Sequence, residues 1–151
     1  MKEVCLFIHI VFASLWLGGM LFMVLVLAPF VRHLPNSVEI FKKVGIRYSI
    51  VGTFIGLPIL FITGLCNINS LGYNFLDMFK ATASNPYLFT LKHKVYLFFL
   101  TSVLAVIHDI FLGLRSDKSE KYRKGARIIG IINLIIALII VYLASKLRFG
   151  G

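Results

Sequence analysis

Four apolar runs, at residues 4–31, 46–68, 88–114 and 127–147, decide what this chain can fold into. Each is near or above the roughly 20 residues that an α-helix needs to cross about 30 Å of hydrocarbon. A backbone in lipid must satisfy its own hydrogen bonds, so the runs predict helices rather than open strands. The expected fold is therefore all-α: one transmembrane domain over residues 1–151, built as an integral membrane four-helix up-down bundle. The 59% hydrophobic content agrees with that class. Pro29 and Pro58 are expected to bend the first two helices. Asn36 and Glu39 have capping-box spacing, so the second helix is expected to begin before the membrane. The 68–87 connection mixes Asn, Gly, Pro and aromatic residues and predicts an ordered interfacial loop. The run from Val4 to Val31 is too long for a signal-peptide core and reads as a retained span.

The charge is +10. Its basic residues cluster between the apolar runs, which makes them topology and membrane-surface determinants and excludes a nucleic-acid face. Arg32, Lys42, Lys43, Arg47, Arg115, Lys118, Lys121, Arg123, Lys124 and Arg127, ten in all, share one side. Lys2, Lys80, Lys92, Lys94, Lys146 and Arg148, six in all, share the other. The positive-inside rule then places both termini and the 68–87 connection outside, in a prokaryotic inner (plasma) membrane. The two cysteines, Cys5 and Cys66, do not amount to a disulfide framework.

Ionisable side chains inside a membrane are functional by default. His9 lies near the outer end of the first helix and His93 near the outer end of the third, at matched depth in an up-down bundle. Two imidazoles at one level on two helices predict bis-histidine ligation of haem b, with the iron between His9 and His93. Lys92 and Lys94 flank His93 and suit haem propionates. Trp16, the single tryptophan, follows His9 by seven residues and joins this expected cofactor site. Gly18, Gly19, Gly52, Gly56, Gly64 and Gly130 would make room for a flat ring. Taken one by one, the same features also suit interhelical hydrogen bonds, close packing and snorkelling lysines.

Fifteen residues after His93, His108 returns to within about 60° of the same face. Helix 3 is thus expected to present His93, Leu97, Leu100, Leu104, His108 and Phe111 as one stripe. His108 is an alternative iron ligand, at the same or a second haem. With Asp109 it forms an expected proton-handling or ion-pair site, for which Arg47, Arg127 or Asn133 is the nearest partner. His33, beyond Pro29, reads as interfacial.

The segments "HIVFASLWLGGMLFMVLVLAPFVRH", "FITGLCNIN" and "KHKVYLFFLTSVLAVIHDIFLGLRS" resemble the copper-resistance protein D (CopD-like) membrane family over nearly the whole chain. The His9-to-Trp16 spacing and the Lys-then-His third helix are also similar to HemJ-type protoporphyrinogen oxidases. These resemblances imply membrane residence and haem or copper. The functional expectation is a small b-type cytochrome. It would be an electron carrier or respiratory-complex subunit passing electrons to quinone or another redox protein, and an oxidoreductase if enzymatic. The alternatives are a copper-handling protein, with Cys5, Cys66, Met20 and Met23 as soft ligands, and a porphyrin oxidase.

Overall fold

The computed structural model describes residues 2–116 and 118–151, and among these it contains no strand. Four long helices account for the apolar runs: α1 (Lys2–Val31), α2 (Ser37–Ser70), α3 (Pro86–Arg115) and α4 (Glu120–Arg148). Each exceeds the length needed to span a bilayer. They alternate up and down, with α1 packed mainly on α2 and α3 mainly on α4.

The outward face of the bundle is apolar. Phe7 and Leu25 are 67% exposed and Phe30 is 71% exposed. Soluble proteins do not leave a continuous apolar surface of this kind in water. The chain is an integral membrane protein, and lipid covers these residues. The interior is small: Trp16, Leu57, Leu60, Ala105, Ile136, Ala137 and Ile140 form its centre. The buried polar residues among those described are four threonines and Asn133. Thr101 of α3 donates its hydroxyl proton to the Asn133 amide oxygen of α4, an interhelical bond at mid-bundle.

Three of the helices contain π-helical turns: Met23–Leu27 in α1, Ser49–Gly56 in α2 and Ile107–Leu112 in α3. Pro29 and Pro58 each follow one of these turns by two residues. Proline has no N–H for the α ladder, and the wider turn before it absorbs the break in register.

The second helix does begin before its apolar run, at Ser37, with Asn36 at the N-cap position. The expected capping box is not formed there. The Asn36 side chain makes no cap bond, and Glu39 pairs with Lys43 one turn on, at 2.8 Å. A capping box is formed instead in the α2–α3 connection, by Asn74 and Asp77 at the 3-10 turn Phe75–Met78. That connection is ordered, as its composition predicted. Met78 is fully buried against Ile68, Leu88 and Leu91.

Candidate functional site

The imidazoles inside the bundle lie at two levels. At the outer level, antiparallel packing sets the start of α1 beside the end of α2. Cys5 and Cys66 face each other there with Cα atoms 6.3 Å apart and are joined by a disulfide. The separation is ordinary for such a bond. The two cysteines, too few for a disulfide framework, thus form a single crosslink. It withdraws the soft thiolate ligands of the copper reading, because a disulfide sulfur is not a thiolate. Met20 and Met23, the other two candidates, fill space against the core and against Gly45.

One turn inward from the disulfide, His9 meets Thr63. Its Nδ1 lies 2.8 Å from the threonine Oγ1. The Thr63 hydroxyl gives its single proton to the Ile59 carbonyl at 2.7 Å, so it accepts from His9. The imidazole proton is thereby held on Nδ1, and Nε2 carries the lone pair. The ring packs beside Gly64, where an added Cβ would come within 3.6 Å of His9 Cε1. From across the bundle, half-buried Lys94 of α3 lies within electrostatic reach of the His9 ring. Among the described residues Lys94 forms no ion pair.

The structure does not bring His93 to His9. His93 is exposed, its Nδ1 lies 2.8 Å from the carbonyl of Phe89 on its own helix, and its ring packs edge-on against the Phe89 ring. Lys92 turns to the α2–α3 connection, donating to the Ala81 carbonyl at 2.8 Å and lying over Phe89. Of the predicted stripe on α3, Leu97, Leu104 and His108 pack inward, whereas His93, Leu100 and Phe111 are exposed. Leu100 is 48% and Phe111 52% exposed, while Thr90, Leu91, Thr101 and Ala105 are buried. The inward face runs through Lys94 and Thr101 to His108. Trp16 is not at the outer level either. It is buried in the central core, and its carbonyl accepts the Tyr48 hydroxyl.

At the inner level, His108 and Asp109 are consecutive residues of a π turn. In an α-helix neighbours in sequence do not face each other. The wider π turn reduces the angle between successive side chains, and here His108 Nδ1 reaches Asp109 Oδ1 at 2.8 Å. The expected pairings of Asp109 with Arg47, Arg127 or Asn133 are not the ones formed. Its ion-pair partner among the described residues is His108, and Asn133 is engaged by Thr101. His108 Nε2 packs against α4, 3.4 Å from where a Cβ on Gly130 would stand. α4 thus occupies the space beside that nitrogen, which argues against a second iron there. His33 is exposed in the turn after α1.

Four of the six glycines expected to line a slot for a flat ring instead receive rings of the chain itself, while Gly18 faces open space and Gly56 lies closest to the Val51 carbonyl. Gly64 meets His9, Gly130 meets His108, and the Tyr48 ring covers both Gly19 and Gly52. Sequence reasoning missed Tyr48 and the role of Thr63. A tyrosine four residues before Gly52, and a threonine at the depth of His9, are the signals that were present.

Fold and internal polar groups together define an integral membrane protein: an all-α four-helix bundle with an imidazole at each of two levels. An uncharacterized protein of Aquifex aeolicus (strain VF5) is 40% identical over 151 residues, covering 99% of this chain and 97% of that one, and the chain belongs to its family. No family model matches the chain, and no solved structure matches it.

Proposed function

We propose that the protein is a small membrane redox protein that binds haem b, with His9 as its iron ligand. The observation that carries this is the His9–Thr63 bond, which holds the proton on Nδ1 so that Nε2 carries the lone pair. Iron-binding imidazoles have this arrangement of a fixed tautomer and an outer hydrogen-bond partner. Lys94 supplies a cation beside the ring, suited to a porphyrin carboxylate. Haem, when bound, supplies one-electron exchange at iron; the chain orients the ligand and excludes water. The donor set fits one protein ligand. Bis-histidine ligation with His93 does not suit a ring that is exposed on the outside of the bundle.

The disulfide supports an orientation with the Cys5–Cys66 end outside, because such bonds persist in oxidising compartments. This agrees with the ten-to-six division of basic residues. We place the protein in a bacterial inner membrane with both termini outward. Electron exchange then takes place near the outer surface, with quinone or a neighbouring redox protein as partner.

The test is spectroscopic. Protein purified in mild detergent from haem-replete cells should show oxidised and reduced haem b bands. His9→Ala should abolish them, while His93→Ala and Lys92→Ala should leave them. A colourless wild-type preparation, or one whose haem survives His9→Ala, overturns the assignment.

A further inference from the structure

We propose that the His108–Asp109 pair is an exchangeable proton-binding site, set at the end of the bundle that carries the α1–α2 and α3–α4 turns. Asp109 is 11% exposed at its side chain and His108 is 33% exposed. One carboxylate oxygen, Oδ1, is taken by the imidazole. The other, Oδ2, is buried and has no hydrogen-bond partner. A carboxylate within a membrane bundle is costly unless both of its oxygens are answered by donors. The missing partner of Oδ2 is thus a donor.

The surroundings narrow the choice. A divalent metal needs several protein ligands, and no group of three or more His, Cys, Asp or Glu exists among the described residues. Among the described residues, the ion-pair partner of Asp109 is His108, not a lysine or arginine. From α2 the Tyr48 hydroxyl is the group within electrostatic reach, and it is engaged by the Trp16 carbonyl of α1. From α4, Gly130 packs against the His108 ring. Proton uptake at Oδ2 relieves the site by removing the buried charge. His108 provides the route to it, since its imidazole is in contact with Asp109 and is the more exposed of the two. The π turn Ile107–Leu112 makes this possible by letting two successive residues face each other. His108 is accordingly the positioning and relay group, and Asp109 the group that holds the proton. None of this requires haem.

Infrared spectroscopy of the purified protein, without added haem, tests the site across pH in H2O and D2O. Beside the bands of the chain's other carboxyls, the wild type should show a further protonated-carboxyl C=O band that grows as pH falls and shifts in D2O. Asp109→Asn should remove that band. Asp109→Glu should keep a carboxyl but move its frequency, which covers the case in which the asparagine variant does not fold. His108→Gln should keep the band and move the pH at which it appears, an effect that a merely structural role would not produce. A wild-type spectrum superimposable on that of Asp109→Asn at every pH overturns the proposal, as does a band that is indifferent to D2O. Because the readout is independent of haem, loss of the haem reading and loss of this one are separate outcomes.

Discussion

His9 and Thr63 are bonded Nδ1 to Oγ1 at 2.8 Å, and the two helices that carry them are crosslinked one turn outward by Cys5–Cys66. The direction of the bond is fixed because the Thr63 hydroxyl proton is already given to Ile59. Thr63→Val keeps the volume and removes the acceptor. Outer partners of metal-binding imidazoles typically contribute 10–100-fold in affinity, so haem retention should fall by about that factor. Thr63→Ser should retain haem like the wild type. Transfer of haem to a scavenging protein, followed by absorbance, measures the difference. Equal loss rates for the valine variant and the wild type would falsify the role of Thr63.

The disulfide closes a loop with a sequence separation of 61. In the chain-entropy picture a loop of that size contributes about 4 kcal/mol in a soluble protein. The figure should be smaller here, because helices in lipid remain inserted when they separate and the unlinked ends are already confined. We expect the reduced protein, or the Cys5→Ser/Cys66→Ser variant, to melt at a lower temperature in detergent than the oxidised form. Unchanged melting on reduction would mean that α1 and α2 are held by packing alone. The same cysteines report topology. After mild reduction, an impermeant thiol reagent applied from outside should label them in intact cells.

Apolar length alone revealed the four helices, since nothing but lipid accounts for runs such as 127–147. The rotation of each helix was not legible. In a soluble protein hydrophobicity marks the inside, but here both the lipid face and the interior are apolar. His93, Leu100 and Phe111 therefore looked as suitable for the interior as Lys94, Thr101 and Ala105. The better marker is the small or weakly polar residue that a neighbouring helix can pack against or bond. Thr90, Thr101 and Asn133 carry that signal, and all three are buried. The His108–Asp109 contact was hidden for a different reason. It depends on a π turn, and α-helical spacing directs adjacent residues apart.

Gly18 and Gly52 make a matched test of the packing around Tyr48. A Cβ at Gly52 would lie 2.9 Å from Tyr48 Cε2 and 3.0 Å from Cζ, whereas one at Gly18 has nothing within 4 Å. The Tyr48 ring cannot simply retreat, because its hydroxyl is bonded to the Trp16 carbonyl. Gly52→Ala should therefore cost about 1–3 kcal/mol through overpacking. Gly18→Ala should be neutral, or gain up to about 1 kcal/mol from helix propensity. Thermal melts of both variants in one detergent give the comparison. Equal melting temperatures would show that Tyr48 does not lie over Gly52.

Thr101 and Asn133 offer the last test, at the centre of the bundle. The pair is the hydrogen bond that joins α3 to α4 between the two imidazole levels, and both residues are buried. Thr101→Val preserves the shape of the side chain but leaves the Asn133 amide without its partner. Interhelical hydrogen bonds in membranes contribute about 0.6–2 kcal/mol, and a stranded buried polar group adds a cost of about 1–3 kcal/mol. Asn133→Leu alone strands the threonine hydroxyl less severely, because that hydroxyl can return to a carbonyl of its own helix, as Ser102 does with Phe98. Thr101→Val should therefore destabilise the protein more than Asn133→Leu does. The double variant should recover most of the loss, since removing both partners leaves nothing unpaired. Unfolding free energies from a double-mutant cycle in one detergent decide the matter. Strictly additive losses would mean that the two side chains do not interact in the membrane.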